Sequence, residues 1–178
     1  AESATVETVD PMIVGGKLMR AAAIASVSVA TILIVTKFAA WIMTDSVSLL
    51  STLLDSILDA ATSLINLLAV HHALQPADRE HRFGHGKAEP LAGLVQGAFI
   101  CGSAAFLLVQ AGERVAHPRE IANTDIGYAV MVFSIVLTII LVIFQRYVVK
   151  KSGSVAIDAD SLHYQTDVLI NLGVMVSL

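Results

Sequence analysis

Between Pro90 and Gly112 the chain runs 23 residues without a charge. As a helix that run is about 34 Å long, enough to cross the hydrocarbon core of a bilayer. Four more stretches read the same way, at about 17–43, 47–74, 126–147 and 155–178. Backbone N–H and C=O groups find no water in lipid, so each stretch must satisfy its own, which means helices. The expected fold is all-α, a polytopic transmembrane helix bundle with five spans behind an N-terminal tail over residues 1–16. Composition agrees: 56% of residues are hydrophobic, only 15% are charged, and mean hydropathy is +0.75.

The tail is acidic and lacks the basic-then-apolar pattern of a secretory signal, so the first span is expected to serve as an uncleaved anchor. The fifth stretch is still apolar at Leu178, and the expectation is that the chain is a fragment of a longer protein. Lys17, Arg20, Arg79, Arg82, Lys87, Arg146, Lys150 and Lys151 fall on one side of the alternating spans, against Arg114 and Arg119 on the other. The side richer in Lys and Arg is cytoplasmic, which puts the N-terminus and the 75–89 loop inside the cell. Net charge is −4 and the basic residues are dispersed, so nucleic acid is not an expected partner. The lone Cys101 lies in an apolar span and is expected to be a small core residue. Gly93 and Gly97 form a G-x-x-x-G that permits close helix approach in lipid.

Two pairs of polar residues interrupt this apolar pattern. Asp55 and Asp59 are four apart in the second span, and His163 and Asp167 are four apart in the fifth. On a helix, such pairs project from one face. Ionisable groups at membrane depth are costly and mark ion paths, relays or ligand sites. Three carboxylates and one imidazole match a four-coordinate divalent cation. Zn2+ is favoured, with Cd2+, Fe2+, Co2+ and Mn2+ as alternatives. Such ligands bind either metal or protons, the minimum that metal–proton exchange requires. The competing reading is two separate polar contacts satisfied by neighbours such as Ser56, Thr62, Ser63 and Asn66.

The 75–89 loop carries Asp78, His81 and His85, which read either as ligands of one ion or as solvated polar groups. His71 and His72, just before it, are expected to be polar anchors at the membrane interface, and His117 a surface residue. The sequence holds no nucleotide-binding or hydrolase motif, so transport would be secondary or passive and the protein is not expected to be an enzyme. A membrane metal sensor or assembly factor that does not transport is the alternative. A di-iron carboxylate bundle would need inward glutamates that the spans lack.

The stretches Asp55-Ser-Ile-Leu-Asp59, Leu74-Gln-Pro-Ala-Asp78, His81-Arg-Phe-Gly-His85-Gly-Lys-Ala-Glu89 and Ala159-Asp-Ser-Leu-His163-Tyr-Gln-Thr-Asp167 together resemble the cation diffusion facilitator family, most of all its bacterial zinc and ferrous-iron efflux branch. The resemblance runs from about Lys17 to Leu178. It implies divalent-metal efflux in exchange for protons, a homodimer in the bacterial inner membrane, and six spans followed by a cytoplasmic metal-binding domain. The sixth span and that domain have no counterpart in this sequence. It further implies that Asp55, Asp59, His163 and Asp167 form the transport site. Asp78, His81 and His85 would form a second site, and Lys87 would take part in a charge interlock near the dimer interface.

Overall fold

The chain's five long apolar stretches become five long helices in the computed structural model, which describes residues 11–45, 47–116 and 124–177. The helices are α1 (Pro11–Thr44), α2 (Val47–Ala73), α3 (Ala88–Ala116), α4 (Thr124–Ser152) and α5 (Val155–Ser177), with no strand among the described residues. Three of them, over Val14–Thr44, Leu49–Ala73 and Asp125–Ser152, are long and apolar enough to cross a membrane. α5 is less apolar because Asp158, Asp160, His163 and Asp167 fall in its first half. His117 and Arg119 lie outside the described residues.

The breaks between helices follow from local chemistry. α1 ends where Asp45 turns to φ 48° and its N–H bonds the Trp41 carbonyl at 2.8 Å, a left-handed cap that asparagine and aspartate tolerate better than most residues. α4 ends at Gly153, whose φ of 68° suits a residue without Cβ, with its N–H on the Val149 carbonyl at 2.8 Å. Ser154 then caps α5, its Oγ accepting from the Ile157 N–H at 3.2 Å. The Glu89 carboxylate of α3 accepts from the Ser154 hydroxyl and from the Ala156 N–H, so an anion sits at the positive end of α5.

The helices close into a ring in the order α1, α2, α3, α5, α4 and back to α1, and α2 also touches α5 across it. One core cluster joins Met19, Ala22 and Ala23 of α1 to Val70, Ala92, Val148, Ala156 and Ile157; a second joins Val29, Leu33, Leu141 and Tyr164. Small residues let the helices approach closely here. Gly93 does so against α5, where a Cβ would meet Val155 Cγ1 at 3.2 Å, whereas Gly97 faces open space. The glycine pair therefore serves one contact, not two. Cys101 is exposed rather than in the core, because α3 packs on α2 and α5 and its opposite face is left outward.

Candidate metal centres

A buried polar layer crosses the ring, with every helix contributing to it. Asp160 of α5 is 0% exposed. Its Oδ2 accepts from Ser26 Oγ of α1 at 2.7 Å and from Gln145 Nε2 of α4 at 2.7 Å, and its Oδ1 from Gln96 Nε2 of α3 at 3.4 Å. Ser26 also bonds Ser63 of α2 at 3.0 Å, and Ser63 bonds the Tyr164 hydroxyl at 2.9 Å. A carboxylate buried this deeply needs such donors, since an unpaired one would carry its full desolvation cost. The network fixes the rotation of α5 against its neighbours, and His163, three residues on, takes its direction from that rotation.

His163 is 3% exposed and lies across from α2. Its Nε2 is 3.1 Å from Asp59 Oδ1 and 3.7 Å from Asp167 Oδ2. One ligand atom from each of Asp59, His163 and Asp167 falls within 4.8 Å of the others, close enough for a single ion. Asp167 Oδ2 is buried and has no hydrogen-bond partner among the described residues, which suits an oxygen that receives a cation. Both ring nitrogens and carboxylate oxygens are ligands that divalent zinc and its neighbours take.

Three of the four expected membrane ligands therefore converge. Asp55 does not join that cluster: it is exposed, one turn earlier on α2, and borders the same cavity of about 670 Å3. Lys37 of α1 also lines this cavity. Its Nζ donates to Ser56 Oγ at 2.6 Å and to the Thr52 carbonyl at 3.2 Å, which brings a positive charge to Asp55's end of the site. The opposite wall comes from α3 and includes Val95, Phe99 and Phe106.

The loop trio also converges. Asp78, His81 and His85 each offer a ligand atom within 4.8 Å of the others. Asp78 Oδ1 accepts from the His81 and Glu80 N–H groups at 2.6 and 2.9 Å and lies 3.2 Å from His81 Nδ1. Those bonds, the His81 backbone N–H first, hold its carboxyl below the usual carboxylate range, so it is anionic at neutral pH. Gly84, at φ 77°, turns the loop so that His85 comes back under Asp78, with Nε2 3.5 Å from Asp78 Oδ2.

A helical bundle with members long and apolar enough to cross a membrane brings carboxylates and an imidazole together from distant parts of the chain, an arrangement that could hold a cation. Residues 23–178 match the family model described as the cation efflux transmembrane domain. The chain is 48% identical over 162 residues to the cation-efflux pump FieF of Serratia proteamaculans, a match covering 91% of this chain and 54% of the relative. It is likewise 48% identical over 163 residues to the FieF pumps of Salmonella paratyphi A and Salmonella enteritidis PT4, covering 92% of this chain and 54% of each. The chain belongs to the cation diffusion facilitator family, as its motifs led us to expect. It spans about half the length of the curated relatives it matches.

Sequence reasoning missed the role of Asp160, which lies inside a quoted motif, and those of Gln96, Gln145 and Lys37. The signal was available: each is a polar group inside an otherwise apolar stretch, and such groups need a partner in lipid.

Proposed function

We propose that this protein exports divalent transition-metal ions from the cytoplasm in exchange for protons, as a transporter and not an enzyme. Asp55, Asp59, His163 and Asp167 form the transport site. The observation that carries this reading is the meeting of Asp59 with His163 and Asp167, from helices far apart in sequence, beside a cavity. The relatives named as cation-efflux pumps support the direction of transport. Zinc is the first-choice cargo on ligand type, with Fe2+ and Cd2+ next and Co2+ and Mn2+ after them.

The charges are consistent with exchange. With a neutral imidazole the quartet carries three negative charges. A divalent ion leaves one, and the Lys37 ammonium on the same cavity balances it. A loaded site that is neutral overall is one a low-dielectric interior tolerates. Removing the metal leaves carboxylates crowded together, and protons replace the lost charge. Alternating exposure of the site to the two membrane faces turns this competition into transport. All five helices act as spans, with the N-terminus cytoplasmic, in a homodimer in the bacterial inner membrane. A sixth span and a cytoplasmic domain belong to the complete protein, and Lys87 joins a charge interlock near the dimer interface. The loop trio is a second metal site.

The test is zinc flux by the full-length protein in proteoliposomes that hold a zinc-sensitive dye, with and without an imposed pH gradient. Flux is expected to follow the proton gradient and to reverse with it. Flux indifferent to the gradient would remove exchange from the proposal, and a folded, metal-binding protein without flux would make it a sensor. Within the site, His163→Asp replaces the one borderline-soft ligand with a hard oxygen. The expected result is a shift of preference from zinc toward manganese, about tenfold in the ratio of binding constants measured by competition titration. An unchanged ratio would put selectivity outside the quartet.

A further inference from the structure

The loop trio has a neighbour. His72, in the last turn of α2, sets its ring 4.4 Å from that of His85, edge to face. His81 flanks the same ring from another side at 4.5 Å. Two imidazoles bound to one tetrahedral zinc, with Zn–N distances of about 2.0–2.1 Å, hold their ring centres roughly 5 Å apart. Both spacings are close to that. The chain is folded back to make the approach: the Gln75 N–H bonds the His72 carbonyl at 3.0 Å directly after α2, and the Ala88 N–H bonds the His85 carbonyl at 3.0 Å as α3 begins. His72 is exposed.

His85 itself points to a ligand. It is 7% exposed, with one nitrogen facing Asp78 and the other, Nδ1, buried without a hydrogen-bond partner among the described residues. A buried imidazole nitrogen in that condition carries a desolvation cost that a cation bound to it would offset. Asp78, His81 and His85 alone would leave a fourth coordination position to water, as in sites that pass or activate what they bind.

We propose that His72 is the fourth ligand of the loop site and closes it into a tetrahedral centre of one carboxylate and three imidazoles. The inference rests on the reading of the loop trio as a metal site. A closed centre retains its ion instead of handing it on, and here it would pin the cytoplasmic end of α2 to the start of α3.

The probe is Co2+, titrated into full-length protein carrying Asp59→Ala to silence the membrane site. Relative to the same protein carrying His85→Ala, whose remaining cobalt sites lie in the cytoplasmic domain, the parent is expected to gain one equivalent of the intense visible bands of tetrahedral cobalt. His72→Ala should collapse them to the weak bands of a water-filled, higher-coordinate ion and weaken binding about tenfold or more. His72→Cys should keep the tetrahedral bands and add a sulfur-to-cobalt charge-transfer band in the near ultraviolet, a signal that arises only if residue 72 touches the metal. If His85→Ala leaves the parent bands intact, the loop reading fails and the inference with it. If His85→Ala removes them, while His72→Ala changes neither bands nor affinity and His72→Cys adds no band, the inference alone is overturned.

Discussion

Asp59→Ala is expected to weaken metal binding at the proposed membrane site by about a hundredfold or more and to leave the bundle folded. Asp59 bonds the His163 ring at 3.1 Å, and it is the member of the converging trio that α2 contributes. Removing it leaves His163 and Asp167, both on α5, with no ligand from the facing helix except the more distant Asp55. Two adjacent ligands on one helix do not enclose an ion, so the loss of affinity should be on the order of a hundredfold or more. Folding should survive because Asp59 is half-buried at a cavity wall and outside both core clusters. Calorimetric titration of zinc into the full-length protein with His85→Ala present, which leaves the membrane site and those of the cytoplasmic domain, reads the difference that Asp59→Ala makes; circular dichroism on heating reads the fold. A binding isotherm superimposable on the parent's would exclude Asp59 from the site.

The second large effect is on stability. In Asp160→Ala, Ser26, Gln96 and Gln145 lose their common acceptor in the middle of the ring. Each buried donor left unpaired costs about 1–3 kcal/mol, so a total near ~3 kcal/mol or more is expected after partial relaxation. Asp160→Asn keeps the shape and one acceptor oxygen and should cost clearly less. The comparison is made by denaturant unfolding in detergent. Metal affinity should fall in Asp160→Ala as well, because the rotation of α5 that aims His163 is no longer fixed. Equal stability of the parent and the alanine variant would mean that the layer is satisfied by water and carries no structural weight.

The bundle was legible because a membrane allows so few solutions. Once Pro90–Gly112 and its companions are read as apolar runs, backbone satisfaction dictates helices, and the structure has five, with no strand among the described residues. The trio Asp59, His163 and Asp167 was legible for a related reason: i,i+4 spacing defines a face, and ionisable groups in lipid need a shared purpose. What periodicity does not encode is which faces meet. The same spacing that groups Asp55 with Asp59 gives no hint that Lys37, 18 residues earlier on another helix, reaches Ser56 and occupies Asp55's end of the cavity. Likewise His72 looks like an interfacial anchor until the return of the loop brings His85 against it.

The ring's closure has a consequence for how the molecule is made. Asp59 and His163 are 104 residues apart, and α5 is the last of the five helices to leave the ribosome. Until it arrives, α2 holds its carboxylates beside Lys37 and nothing else that could enclose an ion. Nor does Asp160 yet gather the polar groups of α1, α3 and α4. On the function proposed above, the site therefore forms at one late step of biosynthesis, when a single helix brings Asp160 to the polar layer and His163 and Asp167 to Asp59.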